Sequence, residues 1–170
     1  LHELALGSDA ENELLAVNRA LRGDGQTLGE LDCLYRRNGE VIHREIAVKY
    51  YLAVADEADP AAWWGPSKRD RLALKLDRFS EHQLRLPMLA REHWPDGLER
   101  PVRSEVLMLG ALFRRPAFMR LPEGASGSVE TGVWFELDEF LAEEDASAWR
   151  RLDKPWWLSP EQVVHAPALS

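Results

Sequence analysis

The stretch GELDCLYRRNGEVIHREIAVKYYL, residues 29–52, decides the fold. Two runs of β-branched, aromatic and aliphatic residues flank Asn38-Gly39, the dipeptide that most favours a two-residue hairpin turn. With that turn, Arg37 pairs with Glu40 and the register is set. Side chains alternate between faces along a strand, so parity divides the hairpin. Leu31, Cys33, Tyr35, Ile42, Ile46, Val48 and Tyr50 form a predicted core face. The opposite face carries Glu30, Asp32, Leu34, His43, Glu45, Ala47, Lys49 and Tyr51. Counting back from the turn sets Asp32 opposite Glu45 and Glu30 opposite Ala47, with Lys49 one same-face step further on and diagonal to Glu30.

Directly opposed residues have Cβ atoms about 4.5–5.5 Å apart, and like charges there destabilise a sheet. Two facing carboxylates need a proton or a positive charge between them. One reading is a divalent cation: Mg²⁺ (or Mn²⁺) takes one or two carboxylates and completes its shell with water and phosphate oxygens. Asp32, Glu45 and Glu30 are then the candidate metal ligands. Lys49 joins them as a catalytic candidate that stabilises charge on phosphorus. The other reading is a solvated face on which Lys49 neutralises Glu30 and Glu45. Hairpin geometry leaves both open.

Outward from the hairpin, residues 1–22 read as a helix. Ser8 or Asp9 offers an N-cap, acids fill the first turn, and Leu14, Leu15, Val17 and Leu21 follow. ADEADPAAWWGP is a loop. Ser67 opens a second helix expected to run to about Arg85 and to end at Pro87, with Leu72, Leu76 and Phe79 on its apolar stripe and Lys75 and Gln83 beside it. REHWPDGLERP is irregular, SEVLMLGALF a strand, RRPAFMRLPEGASGS a connection, ETGVWFEL a strand, and DEFLAEEDASAWRRL an acidic helix. FELDEF repeats the look of GELDCL, but helix capping accounts for it. This order predicts a mixed α/β (α+β) domain, a central mixed sheet with an N-terminal hairpin and flanking helices.

The length, 170 residues, suits one domain over 1–170 with a real core; the first residue is Leu1, so some upstream residues are expected to be missing. Forty-five per cent hydrophobic and 29% charged residues exclude a disordered chain, and no apolar run approaches the roughly 18 residues of a membrane span. The single cysteine, Cys33, excludes an intrachain disulfide, points to a reducing, cytoplasmic setting, and reads as a buried small hydrophobe. With one cysteine and scattered histidines, no zinc site is indicated. A net charge of −8 argues against nonspecific coating of nucleic acid but not against a local basic patch. Arg36-Arg37, Lys68-Arg69 with Arg71, Arg114-Arg115 and Arg150-Arg151 are the clusters, read singly as solvated surface. Trp63-Trp64 and Trp156-Trp157 read as packed aromatics, with base stacking the alternative. His43 reads as a surface histidine on the charged face.

An acid in one strand and an acid with a lysine in the next resemble the PD-(D/E)XK nuclease superfamily. TLGELD (27–32), EIAVKYYL (45–52), GPSKRDRLALKLDR (65–78), HQLRL (82–86), GALF (110–113) and KPWWLSP (154–160) resemble a bacterial family of unknown function grouped with that superfamily. The resemblance implies a restriction-endonuclease-like core: a helix, a three-strand meander, a helix and a further strand. It implies Asp32 as the metal-binding aspartate and Lys49 as the lysine. The second acid belongs two residues before Lys49, where this chain has Ala47. Glu45, one same-face step earlier, is the preferred replacement, and Glu30 the other. Glu13 or Glu11 would be an outer ligand, though exposed helix charge explains either. Gln83 matches a glutamine of exonuclease-like branches, but Pro87 replaces the tyrosine four residues on.

The leading expectation is therefore a Mg²⁺-dependent phosphodiesterase acting on DNA or RNA, with Asp32, Glu45, Lys49 and Glu30 at the centre. Lys68, Arg69, Arg71, Lys75 and Gln83 would contact substrate. The alternative is a nuclease-like domain without catalysis, serving binding or assembly; a weaker third is a hydrolase of a small phosphorylated metabolite.

Overall fold

The structure is a computed structural model, and it describes residues 12–142. Its centre is a six-stranded mixed sheet. Strands β1 (Asn12–Gly23), β2 (Gln26–Arg37) and β3 (Glu40–Ala53) form an antiparallel meander. A two-residue strand, β4 (Trp63–Trp64), pairs with the end of β3. Helix α1 (Leu72–Glu81), a 3₁₀ turn over Gln83–Arg85 and the short α2 (Leu86–Leu89) lead to β5 (Arg103–Arg114). β5 lies parallel to β3, and β6 (Glu130–Val133) parallel to β5. The order across the sheet is β1-β2-β3-β5-β6. A parallel pair needs a crossover, and the helical segment between β3 and β5 supplies it. Helix α3 (Leu137–Leu141) closes the described chain, with Glu139 capping the Glu136 N–H as expected.

The hairpin register is as read: Arg37 pairs with Glu40 and Cys33 with Arg44. Several expectations are corrected. Residues 12–23 are a strand, not the end of a helix: Leu14 and Val17 pair with Tyr35 and Cys33 of β2. The apolar spacing there fits either element, and pairing to β2 decides it. Ser8, Asp9 and Glu11 lie outside the described residues. The second helix starts at Leu72 with Arg71 at its N-cap rather than at Ser67. Pro87 does not end a helix; it sits in the first turn of α2, where its missing N–H costs no helical hydrogen bond. The strand expected over ETGVWFEL is confined to Glu130–Val133. KPWWLSP, Trp156-Trp157 and Arg150-Arg151 lie outside the described residues.

The core is arranged differently from strict parity. Tyr51, Ala53, Ala62, Trp63, Leu72 and Leu112 make one buried cluster beneath the start of α1. Leu86 and Ala90 pack on Leu21 and Leu31. Cys33, Tyr35 and Ile42 form a third cluster. The charged face, for which a solvated surface is one of the two readings, holds fully buried His43 and Glu45, with Ala47 and Tyr51 beside them, whereas Val48 and Tyr50 are half-buried. The cause is the segment from α1 to α2, which covers that face. Cys33 is buried as expected, and loss of hydration pushes its thiol up to about 11.

Among the described residues no helix is long and apolar enough to cross a membrane.

Candidate functional site

β2 parts from β3 at one residue, Asp32. On the β3 side the regular ladder ends at Cys33–Arg44. Beyond it the Ile46 N–H, which a continued register would direct to the Leu31 carbonyl, donates to Asp32 Oδ2 at 2.8 Å. The Asp32 carboxylate therefore lies in the gap between the strands. On the β1 side, the pairs Val17–Cys33 and Arg19–Leu31 bracket Asn18, which stands across from Asp32 with a φ of 47°. A left-handed residue inside a strand is backbone strain, and strain persists where surrounding structure fixes it. The alternation of β2 switches here too: Leu31 and Glu45, assigned to opposite faces by parity, both meet the segment that follows α1.

Glu45 is fully buried and engaged on both oxygens. Oε1 lies 2.8 Å from His43 Nε2, and Oε2 accepts from Gln83 Nε2 at 2.5 Å. His43, also fully buried, contacts Ser104 Oγ through Nδ1 at 3.1 Å. Gln83 Oε1 in turn accepts from Lys75 Nζ at 3.0 Å. A single chain of hydrogen bonds thus runs Ser104, His43, Glu45, Gln83, Lys75, from β5 through β3 to α1. The expectation of a surface His43 is corrected: β5 and the segment after α1 enclose it.

Lys49 pairs with Asp70 (Nζ to Oδ2, 2.5 Å), both side chains being one-third exposed. Asp70 closes the loop before α1, where its carbonyl accepts the Gly65 N–H at 2.8 Å. Its role was not legible beforehand, because nothing in GPSKRD marks which charge turns inward. Next to this pair Tyr51 is buried with no hydrogen-bond partner for its hydroxyl among the described residues. Burial raises its pKa, and the charge of Asp70 adds to the shift.

Burial and neighbouring charges shift two of these groups. Asp32 has a raised pKa, chiefly from burial. The Ile46 N–H opposes this, and the charges of Glu45 and Glu30 add to it. Lys75 has a lowered pKa, first from burial, then from Lys49 and Arg78, with Glu45 and Asp32 acting the other way. Glu45, Gln83 and Lys75 are joined by hydrogen bonds, and the charges of Asp32 and Lys49 also act on Lys75.

Other expected site residues stand apart. Glu30 is exposed and pairs with Ala20 of β1 rather than facing Ala47, because the β2–β3 ladder has ended. Glu13, on a strand and not a helix, pairs with Arg36, which also meets Glu99. Lys68 and Arg69 are exposed in the loop before α1, Lys68 with a φ of 61°. Arg71 stacks on the Trp64 ring at 4.5 Å, while Trp63 is fully buried. Arg114 meets the Phe118 and Met119 carbonyls, and Arg115 pairs with Glu139.

Asp32 and Glu45 carry oxygen donors, the kind a hard cation takes. Each carboxylate oxygen of the two has a second lone pair beyond the bond described. No group of three or more His, Cys, Asp or Glu side chains with metal-holding geometry occurs among the described residues. The remaining ligands would be water and substrate oxygens.

The chain is thus a mixed α+β domain with a polar cluster, Asp32, Glu45, Gln83 and Lys75, where β2 and β3 part inside the sheet. The chain belongs to the family described as a domain of unknown function (DUF1853), whose model matches residues 1–170. No curated protein and no solved structure matches it.

Proposed function

We propose that the domain is a metal-dependent phosphodiesterase with a restriction-endonuclease-like core, acting on DNA or RNA. The observation that carries this reading is Asp32: an aspartate where β2 parts from β3, holding the Ile46 N–H, its pKa raised by burial and by the neighbouring carboxylates of Glu45 and Glu30. A site that disfavours its own negative charge is prepared for a cation. Support for the core comes from the order meander, helix, parallel strand, the order the sequence resemblance implies for its later elements.

In this reading Asp32 and Glu45 hold Mg²⁺ or Mn²⁺, which when bound activates water and neutralises charge on phosphorus. His43 and Gln83 fix the Glu45 carboxylate from both sides, so its orientation is set before ligand arrives. Asp32 is held by the Ile46 N–H. A lysine beside the carboxylates counters the charge of a phosphodiester. Lys68, Arg69 and Arg71 stand exposed near the start of α1, where a nucleic-acid backbone passing over the site would meet them.

The full engagement of Glu45, with no exposed surface, favours a second reading. There the same cluster is a structural polar core, and the domain binds or assembles without catalysis.

Cleavage of single- and double-stranded DNA and RNA with Mg²⁺ or Mn²⁺, compared between wild type and Asp32→Asn, separates the two. Metal-dependent cleavage lost in the variant supports the enzyme. No cleavage and no metal-induced rise in Tm supports the binding module.

A further inference from the structure

We propose that Lys75, rather than Lys49, supplies the positive charge that meets the phosphate of the ligand, and that Asp70 is a positioning residue holding Lys49 out of that role. The inference rests on the phosphodiesterase reading for the class of ligand, and it moves the working cation from β3 to α1.

The two lysines differ in their partners. Lys49 is neutralised by a carboxylate at 2.5 Å. That carboxylate belongs to a constrained loop. The Asp70 carbonyl takes the Gly65 N–H, Trp64 and Arg71 bridge the loop ends, and a Cβ at Gly65 would come within 3.0 Å of Asp70 Cβ. Asp70 therefore has little freedom to swing away. Lys75 has no carboxylate within ion-pair distance among the described residues; its Nζ donates to the neutral Gln83 Oε1 and lies 3.8 Å from the centre of the Phe79 ring.

Gln83 fixes where Lys75 points. Its amide nitrogen is committed to Glu45, so its oxygen must face away and accept from Lys75. The ammonium is thereby held one amide away from the Glu45 carboxylate without being neutralised by it. It is half-buried, whereas Lys68 and Arg69 are exposed. A partly desolvated cation gains more from an anion than a fully hydrated one, because screening is weaker there. Lys75 also feels the repulsion of Lys49 and Arg78, which an incoming anion relieves.

The chain has four lysines, Lys49, Lys68, Lys75 and Lys154, so their ε-methylene signals can be assigned one by one with Lys→Arg variants. The test titrates inorganic phosphate, then an unlabelled dinucleotide, into ¹³C-lysine protein with no metal added. The expected result is a saturable shift at Lys75, a flat Lys49, and a Lys49 that responds once Asp70→Asn removes its partner. A wild-type Lys49 that shifts as strongly as Lys75, or a Lys75 that moves no more than exposed Lys68, overturns the assignment. An unresponsive Lys49 in Asp70→Asn overturns the role of Asp70. In a cleavage assay Lys75→Met should lose about 10²–10³-fold in kcat, with recovery in Lys75→Arg, while Lys49→Met loses under about tenfold; equal losses, or a larger one at Lys49, also overturn it. If wild type cleaves nothing while Lys75 responds to phosphate, the anion subsite stands and the hydrolytic reading falls.

Discussion

The Asp32 carboxylate takes the Ile46 N–H at 2.8 Å, where a continued β2–β3 ladder would have placed the Leu31 carbonyl. A side chain thus replaces a main-chain acceptor at the point where the two strands part. Asp32 is a structural residue whatever else it does, and its variants must be chosen accordingly.

Asp32→Ala should leave the Ile46 N–H without its acceptor and cost about 1–3 kcal/mol in urea denaturation. Asp32→Asn keeps an oxygen acceptor and should stay within about 0.5–1 kcal/mol of wild type. Equal losses in the two variants would show that the hydrogen bond does not hold the gap.

Stability should depend on pH through Asp32. Its folded pKa lies above the ordinary value of 3.8, chiefly from burial, with Glu45 and Glu30 adding to the shift and the Ile46 bond and His43 opposing it. An acid with a raised folded pKa binds its proton more tightly when folded. Its stabilising contribution is present below the unfolded value and is lost as pH rises through the folded one. The stability of Asp32→Asn minus that of wild type should therefore increase from pH 3 to neutrality. Measuring the difference cancels the opposite slopes of Glu105 and Asp56, whose pKa values are lowered. A flat or falling difference contradicts the raised pKa. Mg²⁺, if it binds Asp32, should raise wild-type Tm more as pH rises over the same window, and should leave Asp32→Asn unmoved.

Glu45→Ala removes one acceptor from two side chains, His43 and Gln83, in a dry environment. The expected cost is about 2–5 kcal/mol. In a double-mutant cycle, His43→Ala and Glu45→Ala should couple by about 1–3 kcal/mol. Additive losses would mean that the relay from Ser104 to Lys75 is a set of independent contacts.

Gly110 stands beside Lys49 in the β3–β5 ladder with a φ of 124°, and a Cβ there would come 1.8 Å from the Lys49 carbonyl oxygen. Gly110→Ala should therefore cost more than about 3 kcal/mol or prevent folding, since both strain and overlap act at once. Gly25→Ala and Gly39→Ala, with positive φ but open space, should cost about 1 kcal/mol each. Comparable midpoints for all three would refute the close approach.

Local chemistry settled a good part of this molecule. Asn38-Gly39 fixed the turn and its register as far as Cys33 and Arg44, because turn chemistry and strand alternation act between residues close in sequence. The buried Cys33 and the capped α3 were legible for the same reason. Tertiary pairing decided the rest. Leu14, Val17 and Leu21 suit a helix or a strand, and the exposed ladder of β2 selected the strand. Parity assumed a regular sheet, so it could not foresee that Asp32 turns into the strand gap or that Leu31 and Glu45 meet the same segment. Asp70 and Ser104 reach Lys49 and His43 from 21 and 61 residues away, separations at which no sequence period carries information. Which carboxylate neutralises which lysine is decided only when α1 is laid across the sheet, since ion pairing depends on distance in space and on the water excluded there.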